Sequence, residues 1–145
     1  MEFMDQKDNN PGTNDVAVKD RLLSAARAAG EKAYAPYSHY HVGAAVLTEE
    51  GEIVTGCNVE NASYGLTNCA ERTAIFKAVS SGARKIRAIA IAGPEGGAPA
   101  YPCGACRQVI AEFADTADLP IYVSTGSDSF EAYTLAELLP KGFVL

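Results

Sequence analysis

The chain has 145 residues, with 12 Lys plus Arg against 18 Asp plus Glu, a formal net charge of −6, four cysteines and no tryptophan. This length predicts one domain that buries roughly 68–70% of its unfolded surface and needs no disulfide staples. The longest apolar stretch, Ala88 to Ala92, is far shorter than the roughly 20 residues of a membrane span, and no basic run beyond Arg84-Lys85-Arg87 exists to neutralise a nucleic-acid backbone, so neither a membrane nor nucleic acid is expected as a partner.

Residues 1–15 are polar and acidic and lack the basic start and apolar core of a secretion signal. They are expected to form a disordered tail before a folded domain over 16–145. The protein is expected in a reducing cytoplasm, where cysteines serve as ligands or nucleophiles more often than as disulfides. Val16 to Ala33 predicts an amphipathic helix, with Asp15 as its cap and Val18, Leu22, Ala25, Ala26, Ala29 and Ala33 on one stripe. After the breaker at Pro36, the runs His41 to Thr48 and Glu52 to Asn58 flank Glu49-Glu50-Gly51 and read as a hairpin. A polar loop then leads to a second helix, Asn68 to Ser81, stopped by Gly82. Ile86 to Ala92 reads as a buried strand, Gly93 to Pro102 as an irregular loop, and Gly104 to Phe113 as a third helix. Ile121 to Ser124 and Phe130 to Tyr133 are strand-like, and Leu135 to Leu139 is a short last helix ended by Pro140. Helices alternating with strands predict a layered α/β domain, but periodicity carries no strand order.

Three cysteines sit at predicted helix starts: Cys69 in Cys69-Ala70-Glu71, and Cys103 and Cys106 in Pro102-Cys103-Gly104-Ala105-Cys106. Unpaired N–H groups and the positive dipole end of a helix lower a thiol's pKa and favour the thiolate that binds metal. Three protein ligands with a fourth position open is the pattern of a catalytic zinc rather than a structural one. Residues i and i+2 do not share a helix face, so Cys69 and Glu71 serve one site only if it lies beyond the helix end, where the dipole also places the ion. A carboxylate beside metal-activated water can take its proton and return it to a substrate, which makes this a hydrolytic constellation. A lone Cys-x-x-Cys also fits half a zinc ribbon or a redox pair. Cys57 has no Cys-x-x-Cys partner with which to complete a ribbon, and reads as a small buried core residue.

Together these motifs resemble the zinc-dependent nucleoside deaminases. Tyr37-Ser38, Val42-Gly43-Ala44-Ala45, the stretch Gly56 to Gly65 and Cys69-Ala70-Glu71-Arg72-Thr73-Ala74 extend the similarity to the small homotetrameric cytidine deaminases, over about Leu22 to Phe143. The resemblance implies a three-layer α/β/α sandwich with a mixed sheet of about five strands. It implies one zinc per subunit on Cys69, Cys103 and Cys106, with Glu71 as proton shuttle and the Ala70 amide holding the base. Arg72 resembles the family arginine that hydrogen-bonds thiolates; Arg107 is a second candidate, more readily a surface salt bridge. Asn58 and Glu60 match the Asn-x-Glu pair that grips ribose hydroxyls, a neutral amide plus a carboxylate that suits a diol and repels phosphate. Tyr40 falls where the family usually has a phenylalanine near the base. Phe143 and Tyr64 resemble residues at a neighbouring subunit's site, although both also read as core aromatics. His39 and His41 lack metal spacing relative to the cysteines.

The implied function is hydrolytic deamination of cytidine, and of 2′-deoxycytidine, in pyrimidine salvage, with a free nucleoside as the small-molecule partner. Deamination of an antibiotic nucleoside is disfavoured by Asn58-Val59-Glu60, and deamination of bases in nucleic acid by the acidity of the chain. A non-catalytic zinc module would be indifferent to the loss of Glu71.

Overall fold

The structure, a computed structural model, describes residues 16–145; the expected tail and the Asp15 cap lie outside them. Helix α1 (Val16–Gly30) buries Leu22, Leu23, Ala26 and Gly30. It is followed by the hairpin β1 (Gly43–Thr48) and β2 (Ile53–Cys57), a 3-10 turn (Tyr64–Leu66), α2 (Ala70–Ser80), β3 (Ile86–Ala92) and α3 (Gly104–Phe113). Strands β4 (Pro120–Ser124) and β5 (Phe130–Thr134) and the one-turn α4 (Leu135–Leu138) complete the order. The last helix starts at a capping box, Thr134 accepting from the Glu137 amide while the Glu137 side chain accepts from Thr134 N–H.

The five strands form one sheet in the order β2-β1-β3-β4-β5. Strands β3 and β4 are parallel, Ile89 facing Ile121 and Ile91 facing Val123. The other three pairs are antiparallel. A parallel pair needs a crossover, and α3 is that crossover. It therefore starts at the carboxyl end of β3, next to the first turn of α2.

The two faces of the sheet differ in residue size. On β3, Ile89 and Ile91 point with Val46, Ile121 and Val123 toward the layer of α2 and α3, in a core that includes Ala74, Ile75 and Ile110. The alternate residues Ala88, Ala90 and Ala92 point with Ala45 and Leu47 toward α1. Period-2 alternation thus gives a large-residue face to two helices and a small-residue face to one, the three-layer sandwich that the resemblance implies.

Two glycines allow close approaches. A Cβ on Gly43 would lie 1.9 Å from the Ala26 carbonyl oxygen and 2.4 Å from Gly30 N, so α1 can lie against β1 only without that side chain. A Cβ on Gly56 would lie 2.4 Å from Ala74 N and 2.9 Å from the Ala70 carbonyl oxygen. Gly56 therefore seats the first turn of α2, which carries the candidate site, directly on β2. Helix α1 ends at Gly30, short of the expected Ala33: the Glu31, Lys32 and Ala33 amides bond three residues back, to the carbonyls of Ala28, Ala29 and Gly30, so the chain leaves the helix through tighter turns. Among the described residues no helix is long and apolar enough to cross a membrane.

Candidate active site

Cys69 and Cys103 are the N-caps of α2 and α3, both in extended backbone conformation and neither making a side-chain capping bond. Their thiols are thus free to turn away from their helices and toward each other. Cys106 lies in the first turn of α3 and is fully buried. The three sulfurs lie within 4.8 Å of one another, Cys69 Sγ and Cys103 Sγ being 4.0 Å apart. Zinc–sulfur bonds of about 2.3 Å in a tetrahedron separate ligands by about 3.8 Å, so the spacing suits that ion.

The surrounding charges fit as well. Arg72, one turn into α2, donates from Nη2 to Cys69 Sγ at 3.2 Å. Its Nε is buried and has no hydrogen-bond partner among the described residues. A guanidinium desolvated in this way requires neighbouring negative charge. Three thiolates around a divalent cation carry a net charge of −1, which Arg72 offsets. The neighbouring Cys106 thiol, which can share its proton, and then Arg72 pull the Cys69 pKa down to about 5. The same Cys69 interaction, followed by burial, pushes Cys106 up, so the pair holds a proton that a metal ion would displace. The thiolates in turn raise the pKa of Arg72.

Glu71 occupies the second position of α2 and is 4% exposed. Burial pushes its pKa up to about 7; its own backbone N–H works against this, and the Cys69 charge adds to it. A carboxyl group poised near neutrality can both accept and release a proton. Its neighbour Ala70 is fully buried at the helix start. The site thus lies beyond the ends of two helices, as the i, i+2 argument requires.

Asn58 and Glu60 follow β2. The Asn58 side chain is nearly buried and clamps backbone: Oδ1 accepts from Val42 N at 2.9 Å and Nδ2 donates to the Tyr40 carbonyl at 2.8 Å. An amide nitrogen carries two hydrogens, so one N–H remains for a ligand. The Glu60 carboxylate accepts from Tyr37 N at 3.0 Å, Ser38 N at 3.1 Å and the Ser38 hydroxyl. These bonds, led by the hydroxyl, hold its pKa below the usual carboxylate range. Ser38 Oγ also accepts from Tyr40 N at 3.0 Å. Sequence reasoning gave Ser38 no role, and no local signal marks it, since its partner lies 22 positions away. Tyr40 packs against the core that contains Ala70 and Ala100, and its hydroxyl donates to the Ala98 carbonyl at 2.8 Å. Its pKa is raised by burial and then by the Glu71 charge.

Other expectations resolve differently. Among the described residues Arg107 has neither a thiolate nor a carboxylate partner: it donates to the Pro102 carbonyl at 2.8 Å and the Leu138 carbonyl at 2.7 Å, fixing the approach to Cys103. Cys57 is half-buried rather than core, its thiol 3.5 Å from the Lys32 carbonyl. Tyr64 and Phe143, 80% and 68% exposed, belong to no core formed by the described residues. Tyr64 makes an edge contact with Tyr37, centroids 6.5 Å apart. His39 and His41 are exposed. Two cavities, of about 330 and 380 Å3, lie away from the thiols, one beside Arg27 and Thr125 and the other beneath Leu139 and Val144.

A mixed sheet whose crossover helix and its neighbour jointly present three thiols beside a buried glutamate defines the zinc-dependent deaminases as a class. The family model for the cytidine and deoxycytidylate deaminase zinc-binding region matches residues 17–122. The chain is 50% identical to a cytidine deaminase of Sporosarcina psychrophila, over 86% of this chain and 90% of the relative. It is 49% identical to one of Halalkalibacterium halodurans, over 86% and 93%. Among solved structures, the cytidine deaminase of Burkholderia pseudomallei superposes with a TM-score of 0.79 at 48% identity, covering 86% of this chain and 98% of that one. That of Mycobacterium tuberculosis gives 0.76 at 40% identity, covering 88% and 98%. The chain belongs to the cytidine and deoxycytidylate deaminase family, and its Cys69, Cys103 and Cys106 cluster is able to hold the family's zinc.

Proposed function

We propose that the protein deaminates cytidine and 2′-deoxycytidine hydrolytically, yielding the uridine nucleoside and ammonia. The observation that carries this reading is a nearly buried carboxyl, Glu71, beside three sulfurs within 4.8 Å of one another. Cys69, Cys103 and Cys106 would hold zinc, which when bound would supply a nucleophile at neutral pH by lowering the pKa of a water to about 7. Glu71 takes one proton of the attacking water and passes it to the ring nitrogen beside the amine-bearing carbon; it then takes the proton of the newly added hydroxyl and gives it to the departing amine as the C–N bond breaks. The Ala70 N–H, at a helix start with no partner inside the helix, holds the base. Arg72 offsets the thiolate charge. Asn58 and Glu60 take the sugar hydroxyls, Asn58 with its remaining N–H and Glu60 as acceptor.

A carboxylate at the sugar end disfavours a phosphate, so the substrate is the free nucleoside. The acidic chain fits a cytoplasmic place in pyrimidine salvage. Exposed Tyr64 and Phe143 are aromatic surface that a second copy would cover, which supports a homotetramer with shared sites. The test is to incubate zinc-loaded protein with cytidine, deoxycytidine and cytidine monophosphate, following the absorbance change as cytosine becomes uracil. Turnover of both nucleosides and not of the nucleotide is expected; no turnover of either nucleoside contradicts the reading.

A further inference from the structure

Tyr40 is anchored at every polar atom it has. Its N–H donates to Ser38 Oγ at 3.0 Å, its carbonyl accepts from Asn58 Nδ2 at 2.8 Å, and its hydroxyl donates to the Ala98 carbonyl at 2.8 Å. The two backbone bonds run to residues tied into the proposed sugar site. The third crosses 58 positions to the loop between β3 and α3. Immediately before Tyr40, His39 has φ +57, a left-handed conformation uncommon for a non-glycine residue and retained here by its surroundings. That reversal aims the phenol at the loop.

The loop needs an external hold. It carries Gly93, Gly96 and Gly97, with Gly96 at φ +79, and one internal backbone bond, Gly97 N to the Pro94 carbonyl at 3.0 Å. Residues 95–98 are exposed. Near its far end is Ala100, in the same core as Ala70 and Tyr40, and Tyr101 then leads into Pro102 and Cys103. At its near end, a Cβ on Gly93 would lie 3.0 Å from the Tyr40 hydroxyl oxygen and 3.2 Å from the Ala100 Cβ. Gly93 thus leaves room for the hydroxyl to reach Ala98.

From this geometry we infer that Tyr40 is a positioning residue: its hydroxyl latches the Gly93–Tyr101 loop, whose outer part borders the cavity beside Arg27 and Thr125, and thereby holds the return of that loop at Ala100, in the core with Ala70, as a wall of the nucleoside site. The inference rests on the proposed reaction for its kinetic consequence, but the latch itself does not. The ring alone would serve for apolar contact with a base; the hydroxyl adds the coupling between the sugar-side segment and the loop leading to Cys103.

Tyr40→Phe keeps the ring and removes only the bond to Ala98. In zinc-loaded protein, KM for cytidine is expected to rise about fivefold, the worth of one hydrogen bond, with kcat and zinc content within about twofold of wild type. Amide hydrogen exchange across 94–101 is expected to quicken while exchange in α2 and β3 does not change. Gly93→Ala, which crowds the hydroxyl without touching the ring, is expected to reproduce both changes. Unchanged exchange in the loop of Tyr40→Phe overturns the latch, and faster exchange with an unchanged KM overturns its positioning role. A fall in kcat or in zinc content instead of a rise in KM also overturns it. Wild-type protein inert on cytidine would count against the proposed reaction, and the exchange measurement would still decide the latch.

Discussion

The thiol cluster and the segment carrying Asn58 and Glu60 are held by different forces. The cluster stands on two helix starts fixed by close packing: α2 is seated on β2 at Gly56, and the buried Ala70, Glu71 and Cys106 allow little rearrangement. The segment proposed to take the sugar is irregular backbone near the surface, held by side chain–backbone bonds from Asn58, Glu60, Ser38 and Tyr40. Proton transfer demands sub-ångström placement and a dry setting, which a packed core supplies. Recognition of a diol tolerates more movement, and a hydrogen-bonded loop suffices. Substitutions in the first region should therefore change chemistry with little change in substrate affinity, and those in the second should do the reverse.

The largest effect expected is that of Cys103→Ala. Because its thiol makes no capping bond, the fold should survive, as read by circular dichroism. Zinc should fall well below one per chain and turnover by roughly a thousandfold or more, since the nucleophile depends on the metal. Asn58→Ala probes the other region. It strips partners from the Val42 amide and the Tyr40 carbonyl, each worth about 1–3 kcal/mol when left unsatisfied in a buried place, so a loss of about 3 kcal/mol in denaturant unfolding is expected, with KM raised more than kcat is lowered.

The smallest effect is one of pH. Glu60 has a depressed carboxyl pKa in the folded protein, so its contribution is complete above the unfolded value, about 4.3, and is lost as pH falls through the lower folded value. KM for cytidine should therefore be insensitive to the ionisation of Glu60 from pH 8 to about pH 5. In Ser38→Ala, which removes the leading cause of the depression, the acid rise in KM should move to higher pH. An identical acid limb in wild type and Ser38→Ala would show that the hydroxyl does not set the ionisation of Glu60.

How much of this was legible in the sequence follows the same division. Strand β3 and helix α3 match their expected limits because apolar runs bounded by charge or glycine carry their own ends. The three cysteines and Glu71 were legible because all lie within two short motifs whose helix-start setting can be read locally. The strand order and the sizes of the two sheet faces arise from pairing between distant segments. The Asn58 clamp, the role of Ser38 and the Tyr40 hydroxyl's partner were illegible for a similar reason, each joining residues 16 to 58 positions apart. Arg107 departs from expectation because a surface guanidinium suggests a carboxylate partner, whereas here the carbonyls of Pro102 and Leu138 converge on it.

The central claim is that Glu71 does chemistry on a metal site it does not help to build. Zinc content and cytidine turnover of purified Glu71→Gln, measured beside wild type, test it most directly. The amide is nearly isosteric and cannot accept the proton, so zinc at one per chain with turnover lowered about a thousandfold is the expected result. Turnover within a few-fold of wild type, at the same zinc content, would contradict the account.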